Sequence, residues 1–222
     1  MGINKPYRDI SEFPAIIPVF PLEGVLLLPR TRLPLNIFEP RYLQMVDAAL
    51  ASNRLIGMIQ PSSGTSASGH GPKLESVGCI GRITQFAETG DSRYEMVLSG
   101  AIRFRTGAEE HGETLFRRFH VAYEEFAGDL VAADARDAIN REKLMEMLEA
   151  FSEQKGLKLD RAAIRETGTE LLVNSLAMTM PFGPVEKQAL LEARDLAARA
   201  EILTAIGELG MTQQSGISTR LQ

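Results

Sequence analysis

Apolar and polar positions in the first part of the chain come in short runs cut by proline. Ile17-Pro18-Val19-Phe20-Pro21-Leu22-Glu23-Gly24-Val25-Leu26-Leu27-Leu28-Pro29 leads on to Pro34-Leu35-Asn36-Ile37-Phe38-Glu39-Pro40-Arg41-Tyr42. Pro21, Pro29 and Pro34 each remove a backbone donor. That excludes one long helix and predicts extended pieces at about Ile16–Phe20, Val25–Leu28 and Leu33–Phe38, of the kind found at sheet edges. Pro40 suits the first turn of a helix. Tyr42, Met45, Val46, Ala49 and Leu50 then follow at helical spacing, with an end near Asn53, a residue that tolerates a left-handed cap. Leu55–Ile59 is a continuous apolar run and reads as a strand covered on both faces. Residues 1–13 read as a loose polar arm, and Pro61–Ser76, rich in Ser and Gly, as a surface loop.

The clearest alternation lies further on. Tyr94, Met96, Leu98, Ile102 and Phe104 alternate with Arg93, Glu95, Ser99, Arg103 and Arg105, which predicts a long strand with one apolar and one charged face. Gly100 interrupts it where a strand bulges or bends to curl a sheet. Val77–Phe86 precedes it across Glu88-Thr89-Gly90-Asp91, a hairpin connection, and Phe119, Val121 and Tyr123 mark one more strand. From Ala127 the period changes. Leu144, Met147, Leu148 and Phe151 form one helical stripe that Gly156 can close, and Asp160 can cap a short helix after it. A second stripe, Val173, Leu176, Ala177 and Met180, ends at Pro181; Gly183-Pro184 opens another helix and Asp195 caps the last. The expected class is α+β: a curled, mostly antiparallel sheet with one helix over residues 1–126, then an α-helical bundle over 127–222.

Composition narrows the function classes. A net charge of −5 is spread so that residues 1–126 carry 13 basic and 14 acidic side chains, and 127–222 carry 11 and 15, so neither half is the basic body of a nucleic-acid binder. Cys79 is the only cysteine, which excludes an internal disulfide and agrees with a reducing cytoplasm. No apolar stretch approaches the roughly 20 residues that cross a bilayer. His70, His111 and His120 stand at no metal-motif spacing, and neither a phosphate-binding G-x-x-x-x-G-K-[ST] loop nor a G-x-S-x-G elbow occurs. Pairs such as Glu109/Glu110 and Glu124/Glu125 read as solvated charge. The expectation is no catalytic residue, no metal, no cofactor, and no turnover of ATP or protein.

The order I-P-V-F-P-L, a strand ending in proline, P-L-N-I-F-E-P-R-Y and a helix resembles the start of the Lon protease amino-terminal, substrate-binding domain, and most of all stand-alone bacterial proteins that consist of little else. Val77-Gly78-Cys79-Ile80-Gly81-Arg82-Ile83, Leu98-Ser99-Gly100-Ala101-Ile102-Arg103-Phe104 and Lys187-Gln188-Ala189-Leu190-Leu191-Glu192 resemble later motifs of that family, so the likeness runs from about Ile16 to Leu209. The resemblance implies a PUA-like pseudo-barrel followed by helices, and the part of Lon that engages substrate, without its ATPase and Ser-Lys protease modules. The partner is then unfolded or exposed polypeptide, with a separate protease and a role in protein quality control as further expectations. A strand edge at Ile16–Leu28, with the helix opening at Pro40 beside it, is the expected peptide site, its candidates being Val19, Leu26, Glu39, Arg41 and Tyr42. Two other readings stay open: RNA binding through the sheet, with Arg103, Arg105, Arg117 and Arg118 as its basic patch, and a hydrolase whose site carries no motif.

Overall fold

A computed structural model describes residues 5–62, 71–133, 139–156 and 160–218. The chain divides into two compact units, Met1–Ala132 and Ala133–Gln222. Most of the expected 61–76 loop, including His70, and positions 134–136 of the breaker-rich segment lie outside the described residues. The described ends of the loop are tied together: Ser62 donates its amide to the carbonyl of Lys73, and Glu75 to that of Gln60.

The first unit is built on six strands: β1 (Ile16–Pro21), β2 (Arg32–Ile37), β3 (Leu55–Ile59), β4 (Val77–Glu88), β5 (Tyr94–Glu110) and β6 (Arg118–Ala122), with helix α1 (Pro40–Leu50) between β2 and β3. Their order is β2-β5-β4-β3-β1-β6, antiparallel throughout except for the parallel β1–β3 pair. The 17-residue β5 lets this sheet close. Its first part, Tyr94–Ser99, pairs with β2, and its last part, Arg105–Glu110, pairs with β6, so β6 closes back onto β5 and β2 stays outside the closed ring. β3 is buried at all five positions, as a strand covered on both faces must be. At Gly100 the β4–β5 register slips by one residue, the bulge that lets β5 curl.

Three expectations fail here. Val25–Leu28 is not a strand. It belongs to no strand ladder, and Leu26, Leu27 and Leu28 are all buried as an irregular plug. Thr31 fixes this plug, its hydroxyl donating to the Leu28 carbonyl at 2.6 Å. The helix stops at Leu50, and the left-handed position falls on Arg54 (φ +63) instead of Asn53. The arm is not loose over its described residues, Lys5 to Phe13. Asp9 and Glu12 form a reciprocal capping box around a 3₁₀ turn at Ile10–Glu12, and the ring of Tyr7 packs 4.3 Å from buried Phe13, itself 5.3 Å from Tyr123. Burial pushes the Tyr123 hydroxyl pKa up, and that hydroxyl donates to the Pro14 carbonyl at 2.7 Å.

The second unit contains α2 (Arg141–Lys155), α3 (Arg161–Glu166), α4 (Thr169–Thr179), α5 (Pro184–Glu192) and α6 (Leu196–Ser218). Leu144, Met147, Leu148 and Phe151 are buried as their stripe predicts, Gly156 closes α2 at φ +66, and Asp160 accepts the amides of Ala162 and Ala163 at the start of α3. Three cations satisfy carbonyls at or just beyond helix C-termini. Arg141 reaches Ile164 and Thr167, Lys187 reaches Met178, and buried Arg199 reaches Leu190 and the Asn174 amide oxygen.

Candidate functional site

The five residues expected to bind peptide do not share a surface. Val19, Leu26 and Tyr42 are core residues, at 0%, 2% and 6% exposure. The Tyr42 ring packs 4.4 Å from Phe20, and burial raises its pKa. Glu39 and Arg41 are on the surface and pair with each other at 2.8 Å, the Arg41 guanidinium lying 4.4 Å over the Tyr42 ring. The strand on which that edge was placed is not an edge at all: β1 lies between β3 and β6.

The open edge belongs to β2, which pairs with β5 and no other named strand. Arg32, Pro34 and Asn36 are exposed while Leu33 and Leu35 are half-buried and Ile37 is buried. Gly100 donates to the Thr31 carbonyl, and strand alternation from that bond turns the backbone groups of Arg32, Pro34 and Asn36 away from β5. Proline is tolerated at such an outward position because it has no donor to lose from the ladder. This was the signal available in the sequence: a proline flanked by polar residues at every second position of an otherwise apolar strand.

A groove of about 440 Å³ lies against this strand, lined by Pro34, Asn36, Gln85, Phe86, Glu95 and Val97 among others. The β2–β5 register sets Pro34 opposite Val97 and Asn36 opposite Glu95. Phe38 and Phe86 are large apolar side chains left exposed at 60% and 37%. Phe86 stands edge-on to Tyr94 at 5.0 Å, Arg93 lies over Phe38, and the Tyr94 hydroxyl donates to Asp47 of α1 at 3.0 Å. A strand paired on one side only, with an apolar trough beside it, matches the needs of an extended peptide: backbone partners along the edge, and room for side chains without a reading of their identity.

The arginines expected as a basic patch are largely spent on carboxylates. Arg103 is buried and grips Asp129 through two guanidinium nitrogens at 2.8 Å each; Arg105 pairs with Glu125 and Arg117 with Glu109, each at 2.7 Å. Cys79 is buried. Among the described residues no group of three His, Cys, Asp or Glu side chains could hold a metal ion, and no helix is long and apolar enough to cross a membrane.

This architecture, a closed sheet with one open strand and one helix followed by a helical unit, is that of a known family. Residues 16–206 match the family described as the ATP-dependent protease La (LON) substrate-binding domain, and the chain belongs to that family. Lon protease 2 of Sorangium cellulosum is 30% identical over 86% of this chain, and Lon protease of Escherichia coli K12 is 24% identical over 86%. The chain spans 24% of the length of each. The N-terminal domain of Mycobacterium avium complex Lon protease has the same fold, with a TM-score of 0.63 at 20% identity over 87% of this chain and 98% of that one. A Lon N-terminal domain protein from Xanthomonas campestris matches with a TM-score of 0.60 at 22% identity, over 86% and 97%.

Proposed function

We propose that this chain is a non-catalytic module that binds unfolded or exposed polypeptide by adding it as a strand to β2, with apolar side chains in the adjoining groove. The observation that carries the reading is the one-sided pairing of β2 beside an apolar trough, in a chain of a substrate-binding family. Glu39 and Arg41 follow β2 through exposed Phe38 and tune which peptides approach, while Val19, Leu26 and Tyr42 support the unit from inside. In the cell it serves protein quality control as a cytoplasmic adaptor that presents bound chains to a separate protease. Its affinity is on the order of micromolar, because ordering a flexible peptide offsets much of the contact energy.

Fluorescence anisotropy with an unfolded, apolar-rich peptide tests this. Val97→Asp places a charge in the trough without touching the core face of β5, and it should weaken binding at least about tenfold while circular dichroism stays unchanged. Parent-like binding by folded Val97→Asp would exclude the groove. Absence of binding by the parent would exclude the function.

A further inference from the structure

A second cavity, of about 320 Å³, opens on the same outer face of the sheet, lined by Lys5, Arg30, Arg82, Thr84, Ser99 and Asp129 among others. Glu95, Val97 and Ser99 alternate along one face of β5, so the apolar groove and this cavity are neighbours, about 7 Å apart along the strand from Val97 to Ser99. Among the described residues, three cations line the cavity against one carboxylate, and that carboxylate, Asp129, is held bidentate by buried Arg103. Arg82 is set by the arm, donating to the Lys5 carbonyl at 3.4 Å and lying 5.4 Å over the Tyr7 ring. Arg30 is held in a left-handed backbone conformation, φ +62, uncommon outside glycine, and donates to the Asp129 carbonyl. Two hydroxyls, Thr84 Oγ1 and Ser99 Oγ, stand 2.9 Å apart in the lining, but Thr84 donates to the Val97 carbonyl at 3.2 Å and Ser99 to Thr84, so the donors left for an anion are those of the cations.

We infer that this cavity receives a carboxylate of the bound polypeptide, just C-terminal to the apolar segment that fills the groove. The inference rests on strand addition at β2. A strand added antiparallel to β2 runs from Ile37 towards Arg32, so its amino side lies by Glu95, the partner of Asn36, and its carboxyl side by Ser99, the partner of Arg32. Charge follows the same direction: a carboxylate of the module stands at the end where the peptide's amino side lies, and the cations stand at the other. Parallel addition would set like charges together at both ends. The surface therefore selects orientation as well as hydrophobicity, and the preferred ligand is an apolar stretch followed within about two residues by an anionic group, the span from Val97 to Ser99 fixing that spacing. Two sources supply such a group: the free end of a chain, or an Asp or Glu side chain.

The test is anisotropy on the full chain with three versions of one apolar peptide: a free carboxyl terminus, the same terminus amidated, and the amidated form with a Glu two residues beyond the apolar stretch. The free acid should bind about tenfold tighter than the plain amide, the magnitude of a charge-assisted hydrogen bond. That advantage should fall to less than about twofold in Arg82→Gln, and it should shrink with added salt in the parent. Recovery of affinity by the internal Glu assigns the cavity to acidic side chains as well; lack of recovery assigns it to chain ends. Equal binding of all three peptides to the parent overturns the inference and leaves the groove standing. No binding by any of them overturns both. The salt dependence is read on the parent alone, so the outcome does not hang on the fold of a variant.

Discussion

Gly100→Ala should destabilise the β-rich unit by about 3 kcal/mol or more, beyond the usual cost of overpacking because the obstacle is backbone. A β-carbon built there lies 2.0 Å from the Leu28 carbonyl oxygen and 2.8 Å from its carbon. Leu28 cannot yield easily. Its carbonyl accepts the Thr31 hydroxyl, Thr31 O accepts the Gly100 amide, and the flanking leucines fill the interior. The substitution therefore strikes the contact between the plug and the bulge that curls β5. Thermal unfolding should shift down by about 10 °C. Gly112→Ala is the control, since nothing stands within 4 Å of its added carbon, and it should be near neutral. Equal melting temperatures for the two variants would contradict the packing described for Gly100.

Arg103→Met should cost about 3–5 kcal/mol, the range for breaking one side of a buried ion pair. The Arg103 side chain is 4% exposed and Asp129 11%, and the Asp129 carboxylate also accepts the Arg103 amide at 3.0 Å. The guanidinium lies 4.7 Å over the Phe126 ring, so methionine keeps part of the packing while stranding the carboxylate. Asp129→Asn in the Arg103→Met background should recover a measurable share of the loss, because it removes the stranded charge. Urea unfolding of the single and double variants checks this. Additive losses would mean that the two side chains do not act as a pair.

How much of this could be read from residues alone depended on the range of the cause. Local causes were legible. The alternation through Tyr94–Phe104, the proline at the start of α1, the Leu144–Phe151 stripe, and the Gly156 and Asp160 caps all act within a few residues, and each stands where its pattern placed it. Pairing between distant segments was not legible. The proline-cut run suggested an edge, but periodicity cannot say which piece of it borders solvent, and long-range register put β1 inside the sheet and left β2 open. Three consecutive leucines at 26–28 looked like a strand because their burial by an irregular loop depends on a glycine more than 70 positions away. Arg103 was taken for a solvent-facing charge since its partner, Asp129, sits in a segment whose small and polar residues signalled only a break. Asp9-Ile10-Ser11-Glu12 did carry a capping-box signature in plain view, and it explains why the arm is not loose over its described residues.

The central claim is that polypeptide docks on the open β2 edge. Chemical-shift mapping of the full chain with an unfolded, apolar-rich peptide tests it most directly. The account predicts perturbations and slowed amide exchange at Arg32 and Asn36, whose amides turn away from β5, with further shifts at Gln85–Ala87 and Glu95–Val97 in the groove. Shifts confined to the helices from Arg141 onward, with β2 amides exchanging as in the free protein, would contradict it.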